Sequence, residues 1–297
     1  MGGLTAQLQR HPPPAAVRRT LMGLRTGLRR STQRLRSNPD FLIIGGQRCG
    51  TTSVFNYLLD HPLVLPPLVK EPQFFTYHWP RGTGWYRAQF PTDLRRRAAA
   101  LRGPSGPVVT FEATPYYLFH PCAPERAAQV LPAAKLVVLV RDPVKRAYSH
   151  YQHSVRMGFE PLSFAAAVEL EPTRLAGEEE RIRSDSRYQG TNHRVFSYVS
   201  RGSYADQIER WLTRFSRESI HVIVSEELFA DPGRHYQELL GFLGLPESKP
   251  ADFRVHTKGS SRGDKIPADV RRTLEERFAP ANRALERLLG RELGWSA

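Results

Sequence analysis

Cysteine is scarce: only Cys49 and Cys122 occur in 297 residues, far apart in the chain. They supply neither a disulfide framework nor the closely spaced ligand pairs of a zinc site, so a reducing compartment is the simpler setting. No run of about eighteen apolar residues occurs, and the arginine-rich start holds no apolar stretch of the signal-peptide kind, so a cytoplasmic protein is expected. Acids are missing altogether from residues 1–38, which carry Arg10, Arg18, Arg19, Arg25, Arg29, Arg30, Arg34 and Arg36. Those eight arginines make up eight of the fourteen net positive charges. The modest remainder suits a cleft for a polyanionic nucleotide, and no nucleic-acid partner is required.

Residues 1–38 read as a basic tail in which Val17, Leu21, Leu24 and Leu28 fall at roughly helical spacing. Such a tail is either a solvated extension or a weak membrane-surface contact. Residues 39–297 read as one domain. From Asp40 short apolar strands (41–44, 108–111, 136–140 and 220–224) alternate with helical segments at 51–60 and about 122–130, 142–157, 203–214 and 232–243. This alternation predicts an α/β fold with a central parallel sheet flanked by helices. Between Glu171 and Gly202 no clean period emerges, so 171–202 is expected to be a mobile insertion and a candidate wall of an acceptor site. From Ile266 the chain reads as one or two terminal helices.

The first strand runs into Gly45-Gly46-Gln47-Arg48-Cys49-Gly50-Thr51-Thr52-Ser53 and then a helix. Glycines that turn N–H groups inward, followed by a helix N-terminus, make a natural seat for phosphate or sulfate. Against the pattern G-x-x-x-x-G-K-[ST], Thr51 stands where the lysine belongs and the cation is Arg48, inside the loop. Strand 136–140 ends in Arg141, not in the acid that holds Mg²⁺ in metal-using enzymes of this kind. Pro143 suits the first turn of a helix bearing Ser149, Asp142 reads as its N-cap, and Arg141 with Ser149 could bind a second phosphate.

At these residues the chain resembles the sulfotransferase family, specifically the branch of heparan-sulfate N- and 3-O-sulfotransferases and their bacterial relatives. Four blocks carry the likeness: Gly45 to Ser53, Arg141-Asp142-Pro143 through Tyr151, Lys70-Glu71-Pro72-Gln73-Phe74-Phe75, and Phe111-Glu112-Ala113-Thr114-Pro115-Tyr116-Tyr117. The resemblance implies a P-loop-NTPase-like fold, 3′-phosphoadenosine 5′-phosphosulfate (PAPS) as donor, PAP as product, and in-line transfer without a metal. It assigns Gly46, Gln47, Arg48, Cys49, Gly50, Thr51, Thr52 and Ser53 to the 5′-phosphosulfate, and Arg141 and Ser149 to the 3′-phosphate. Arg48 takes the place of a loop lysine that neutralises the leaving group, although its planar fork is no point-charge equivalent. Glu112 is implied as catalytic base and Lys70 as a sulfuryl-side cation, with Glu71 unassigned. A basic loop closing over the nucleotide matches Lys258-Gly259 by residue type, or Arg262-Gly263 by counting back from Pro267. The implied acceptor is a hydroxyl or amine, with glycan, glycolipid, secondary metabolite and peptide tyrosine all open and a carbohydrate or lipid-linked hydroxyl favoured by the family branch alone. A P-loop kinase and a basic nucleic-acid-binding protein are the alternatives; the first has only Gly45 to Thr52 in its favour and the second only the basic tail.

Overall fold

Nearly continuous apolar runs form the strands of a parallel sheet, because strands covered on both faces have no solvent side to alternate toward. In the computed structural model, which describes residue 23, residues 25–255 and residues 266–295, these are β1 (Phe41–Gly45), β2 (Val64–Leu65), β3 (Val109–Ala113), β4 (Lys135–Val140) and β5 (Ile220–Val224). Their order is β2-β3-β1-β4-β5, and every pairing is parallel. The chain leaves β1 toward β2 and β3 on one side, then returns to β4 on the other. The sheet order therefore reverses at β1, and ligands in open α/β sheets sit beyond the strand ends at such a point. The expected α/β fold is the one found. β2 was not foreseen, since two residues carry no period.

α1 (Thr51–Leu59) follows β1, α2 (Gly82–Arg87) and α3 (Asp93–Ala100) precede β3, and α4 (Ala123–Val130) joins β3 to β4. α5 (Pro143–Arg156) starts from Asp142, whose carboxylate accepts the N–H groups of Val144 and Lys145, so the cap expected from sequence forms. Where no period was legible, the structure has α6 (Phe164–Leu175), α7 (Glu178–Ser184) and α8 (Thr191–Val195). Buried acids organise this stretch. Glu171 accepts the N–H groups of Val199 and Ser200 at 2.6 and 2.8 Å, and Glu178 accepts the Tyr188 hydroxyl at 2.6 Å. A hydrophobicity pattern does not register carboxylates in the interior. α9 (Tyr204–Leu212), α10 (Ser225–Ala230), α11 (Pro232–Leu243) and α12 (Ala268–Leu289) complete the described chain. The terminal stretch is a single long helix.

Residues 25–37, inside the segment read as a tail, lie against the body of the domain. The Arg29 Nε donates to the Ala88 carbonyl at 2.6 Å, Arg36 Nη1 donates to the Phe90 carbonyl at 2.7 Å, and Arg36 bridges to Thr92. No helix among the described residues is long and apolar enough to cross a membrane.

Candidate active site

The turn after β1 forms because two glycines stand where side chains do not fit. A Cβ on Gly45 would meet Leu118 Cβ at 2.5 Å, and Gly50, at φ +91°, adopts a left-handed conformation in front of α1. Arg48 is itself left-handed at φ +69°. The Gly46 N–H donates to the Leu139 carbonyl at 2.6 Å, and the Ser225 hydroxyl shares its proton between the carbonyls of Cys49 and Val140, 2.7 Å from each. The loop is thereby fastened to β4 and to the start of α10.

Beyond the C-terminal ends of β1, β3 and β4 opens a cleft of about 1040 Å³. Among the predicted residues Gln47, Arg48, Gly50, Thr51, Thr52, Lys70, Arg141 and Ser149 line it. Gly46, Cys49 and Ser53 lie behind that surface, and burial pushes the Cys49 thiol up to about 11, which makes it an inert packing group. Lys258, Gly259, Arg262 and Gly263 lie outside the described residues, although Val255 and Ile266 on either side of that stretch line the cleft.

The two phosphate blocks meet here. Arg48 Nε donates to the Ser149 hydroxyl at 3.0 Å, and Arg141 Nη1 donates to the Arg48 carbonyl at 3.2 Å. Burial, followed by the charges of Arg156 and Arg141, lowers the pKa of Arg48, as mutually repelling cations gathered for an anion require. Lys145, Arg194, Arg201 and Arg271 add to the positive lining, against Glu71 and Glu226. Lys70 Nζ donates to Thr52 Oγ1 at 2.7 Å and lies 3.3 Å from Glu71.

Glu112 does not reach this surface. It has no exposure, is absent from the lining, and is enclosed by the hydroxyls of Tyr86, Thr114 and Tyr117, which donate to it at 2.7, 2.6 and 3.0 Å. Burial outweighs those hydrogen bonds and pushes its pKa up to about 7. The sequence position that suggested a base, the end of a strand, is correct for the backbone; the side chain points into the protein. His150, within the Arg141–Tyr151 block, and His153, just beyond it, line the cleft, and burial together with nearby arginines keeps His150 well below the usual histidine range.

Several lining residues carried no sequence signal. Arg201 is buried and its pKa is lowered to about 9 by that burial. Its guanidinium takes Gln47 of the phosphate loop on one side, donates to the Arg194 carbonyl at 2.8 Å on the other, and lies 4.8 Å over the Tyr116 ring. Arg194 sits 5.3 Å over Tyr77. Both arginines come from the 171–202 stretch, whose only sequence cue was its length without pattern.

Comparison with known proteins gives a single answer. Residues 38–258 match the family described as the sulfotransferase domain. The chain is 32% identical over 284 residues to the human bifunctional heparan sulfate N-deacetylase/N-sulfotransferase 3, covering 84% of this chain and 30% of that protein. It is 28% identical to the mouse heparan sulfate glucosamine 3-O-sulfotransferase 3B1, covering 86% of this chain and 65% of the relative. The crystal structure of a sulfotransferase from Alicyclobacillus acidocaldarius superposes with a TM-score of 0.63 at 32% identity, over 88% of this chain and all of that one. The chain thus spans about a third of the bifunctional relatives' length, so only their matched portion is comparable.

Proposed function

Because the chain belongs to the sulfotransferase family, we propose that it transfers a sulfuryl group from PAPS to an acceptor hydroxyl or amine within this cleft. The observation that carries the reading is the contact between Arg48 and Ser149. It joins the glycine-rich loop to the Arg141 block, so one nucleotide with phosphates on both its 5′ and 3′ sides could engage both. The loop N–H groups with Thr51 and Thr52, backed by the buried Ser53, would hold the 5′-phosphosulfate, and Arg141 and Ser149 the 3′-phosphate. Lys258 with Gly259, or Arg262 with Gly263, are the further nucleotide-binding residues proposed.

In the transfer the acceptor loses its proton, a new bond forms to sulfur, and the bond from sulfur to the bridging oxygen breaks with its electrons leaving on the 5′-phosphate of PAP. The base must therefore be reachable from the cleft. Glu71 is: it lines the cavity with its side chain 41% exposed, whereas Glu112 is enclosed. We assign proton abstraction to Glu71, and charge stabilisation on the leaving oxygen to Arg48 and Lys70. The named relatives act on heparan sulfate, and Arg194, Tyr77 and Tyr116 form a polar and aromatic wall beside the loop, which favours a carbohydrate acceptor. Leu28 and Leu35, 77% and 61% exposed among arginines, support a weak contact of the basic segment with anionic membrane surfaces.

The test is transfer of radiolabelled sulfate from PAPS into heparan sulfate oligosaccharides and into a host extract, with mass spectrometry of the product. Glu71→Gln is expected to lower turnover by about 10²–10⁴, the range for a lost general base, with PAP affinity unchanged. A protein that neither binds PAP nor labels any acceptor would sink the proposal.

A further inference from the structure

Glu112 is left without a role by this assignment, yet it is the centre of an ordered polar chain. The Tyr117 hydroxyl donates its single proton to Glu112 Oε1 at 3.0 Å. Only lone pairs of that oxygen are then left to face the backbone, and the Phe74 N–H donates to it at 2.8 Å. The chain thus runs from Phe74 through Tyr117 to Glu112, its direction fixed by the Phe74 N–H, which can only donate.

What hangs on that chain is the turn bearing Lys70, Glu71 and Gln73, all in the cleft lining. Gln73 immediately precedes Phe74 and sits at φ +55°, a left-handed conformation that a side chain disfavours. Such a conformation persists where its surroundings over-determine it. Here the Thr76 hydroxyl and the His78 N–H donate to the Gln73 carbonyl at 2.9 and 3.1 Å, and the Ala113 N–H donates to the Lys70 carbonyl at 3.2 Å. The Tyr117 contact adds the hold from beneath, one residue beyond the strained position.

We propose that Glu112 is a positioning residue: through the Tyr117 hydroxyl it fixes the Phe74 amide, and with it the turn that presents Lys70 and Glu71 to the reacting groups. The inference rests on the sulfuryl-transfer reading for its effect on turnover, but not for the positioning itself.

The two parts separate experimentally. Amide exchange of residues 70–76 reads the position of the turn without any acceptor. Turnover with PAPS and heparan sulfate oligosaccharides, alongside PAP affinity, reads the reaction. Tyr117→Phe and Glu112→Ala should each speed exchange at Phe74 about tenfold and lower kcat about tenfold, with PAP Kd within twofold, and the double variant should be no worse than either single one. Glu112→Gln keeps a carbonyl to accept from Tyr117, so it should retain slow exchange and at least a third of wild-type kcat. Tyr86→Phe, which keeps the ring stacked on Phe74 and removes only the hydroxyl donated to Glu112, should leave exchange at Phe74 unchanged. Unchanged exchange at Phe74 in Tyr117→Phe overturns the proposal, and so does a Glu112→Gln variant as inactive as Glu71→Gln, since that result returns proton transfer to Glu112. Failure of PAP to bind the wild-type protein counts against the reaction alone and leaves the exchange result to decide the positioning.

Discussion

Replacing Arg48 by methionine removes one charge from the cleft while keeping an unbranched stem and the same left-handed backbone requirement. In the free protein the loss of its hydrogen bond to Ser149 is set against relief of repulsion from Arg141 and Arg156. Those effects are each about 1 kcal/mol and opposite, so the melting temperature of the free protein should move by no more than about 2–4 °C. With ligand the balance changes, because a charged hydrogen bond to phosphate contributes roughly 1.5–3 kcal/mol, a ten- to 150-fold loss of affinity. At PAP concentrations 100 times the wild-type Kd, ligand should stabilise the native protein by about 2.7 kcal/mol, or roughly 5–10 °C. A hundredfold weaker variant keeps only about 0.4 kcal/mol of that, near 1 °C. Differential scanning fluorimetry with and without PAP measures both quantities. A large drop in the free protein's melting temperature would make Arg48 a structural residue, and an undiminished PAP shift would remove it from the binding site.

Arg141→Ala should weaken PAP much more than adenosine 5′-phosphosulfate in isothermal titration, by roughly 1.5–3 kcal/mol for the 3′-phosphate contact; equal losses would overturn that assignment. Glu112 has a folded pKa of about 7 against an ordinary 4.5, so the native state holds its proton more tightly and the stability it contributes is complete below about pH 4.5 and lost by about pH 7. Relative to Glu112→Gln, wild type should therefore lose on the order of 3 kcal/mol across that window and then level off, and parallel denaturation curves from pH 5 to 8 would contradict it. Removal of residues 1–38 should lower the melting temperature by several degrees more than removal of 1–24, through loss of the Arg29 and Arg36 contacts. Co-sedimentation with phosphatidylserine vesicles should fall with the longer deletion, and equal binding by both truncated forms would deny Leu28 and Leu35 a membrane role.

Four strands could be read from the chain because burial on both faces leaves long apolar runs, and the phosphate loop because glycine is needed where backbone passes close to Leu118. Arg141 and Ser149 were legible for a similar reason: the strand end and the Pro143 helix start fix where they emerge. Which of Glu71 and Glu112 faces the cleft was not legible. A strand alternates its side chains between faces, so position at a strand end leaves direction undecided, and of the three hydroxyls that enclose Glu112 those of Tyr86 and Tyr117 come from outside its strand. Glu71, next to Lys70 in a short loop, has the sequence appearance of a solvated charge pair. Arg194 and Arg201 were hidden in a stretch whose order depends on Glu171 and Glu178 accepting backbone N–H groups, contacts that leave no periodicity.

Among its contacts Arg201 joins Gln47 in the phosphate loop to the backbone of residues 193–194 in the opposite wall. A ligand of the loop that displaced Gln47 would act on that wall through this buried cation. Thermodynamic linkage then runs both ways, since a donor that alters the wall's affinity for an acceptor must have its own affinity altered by the acceptor to the same factor. Any coupling between ligands of the loop and of the wall would be carried by one guanidinium, and an Arg201→Lys variant, which cannot span both contacts, should bind each ligand with an affinity independent of the other.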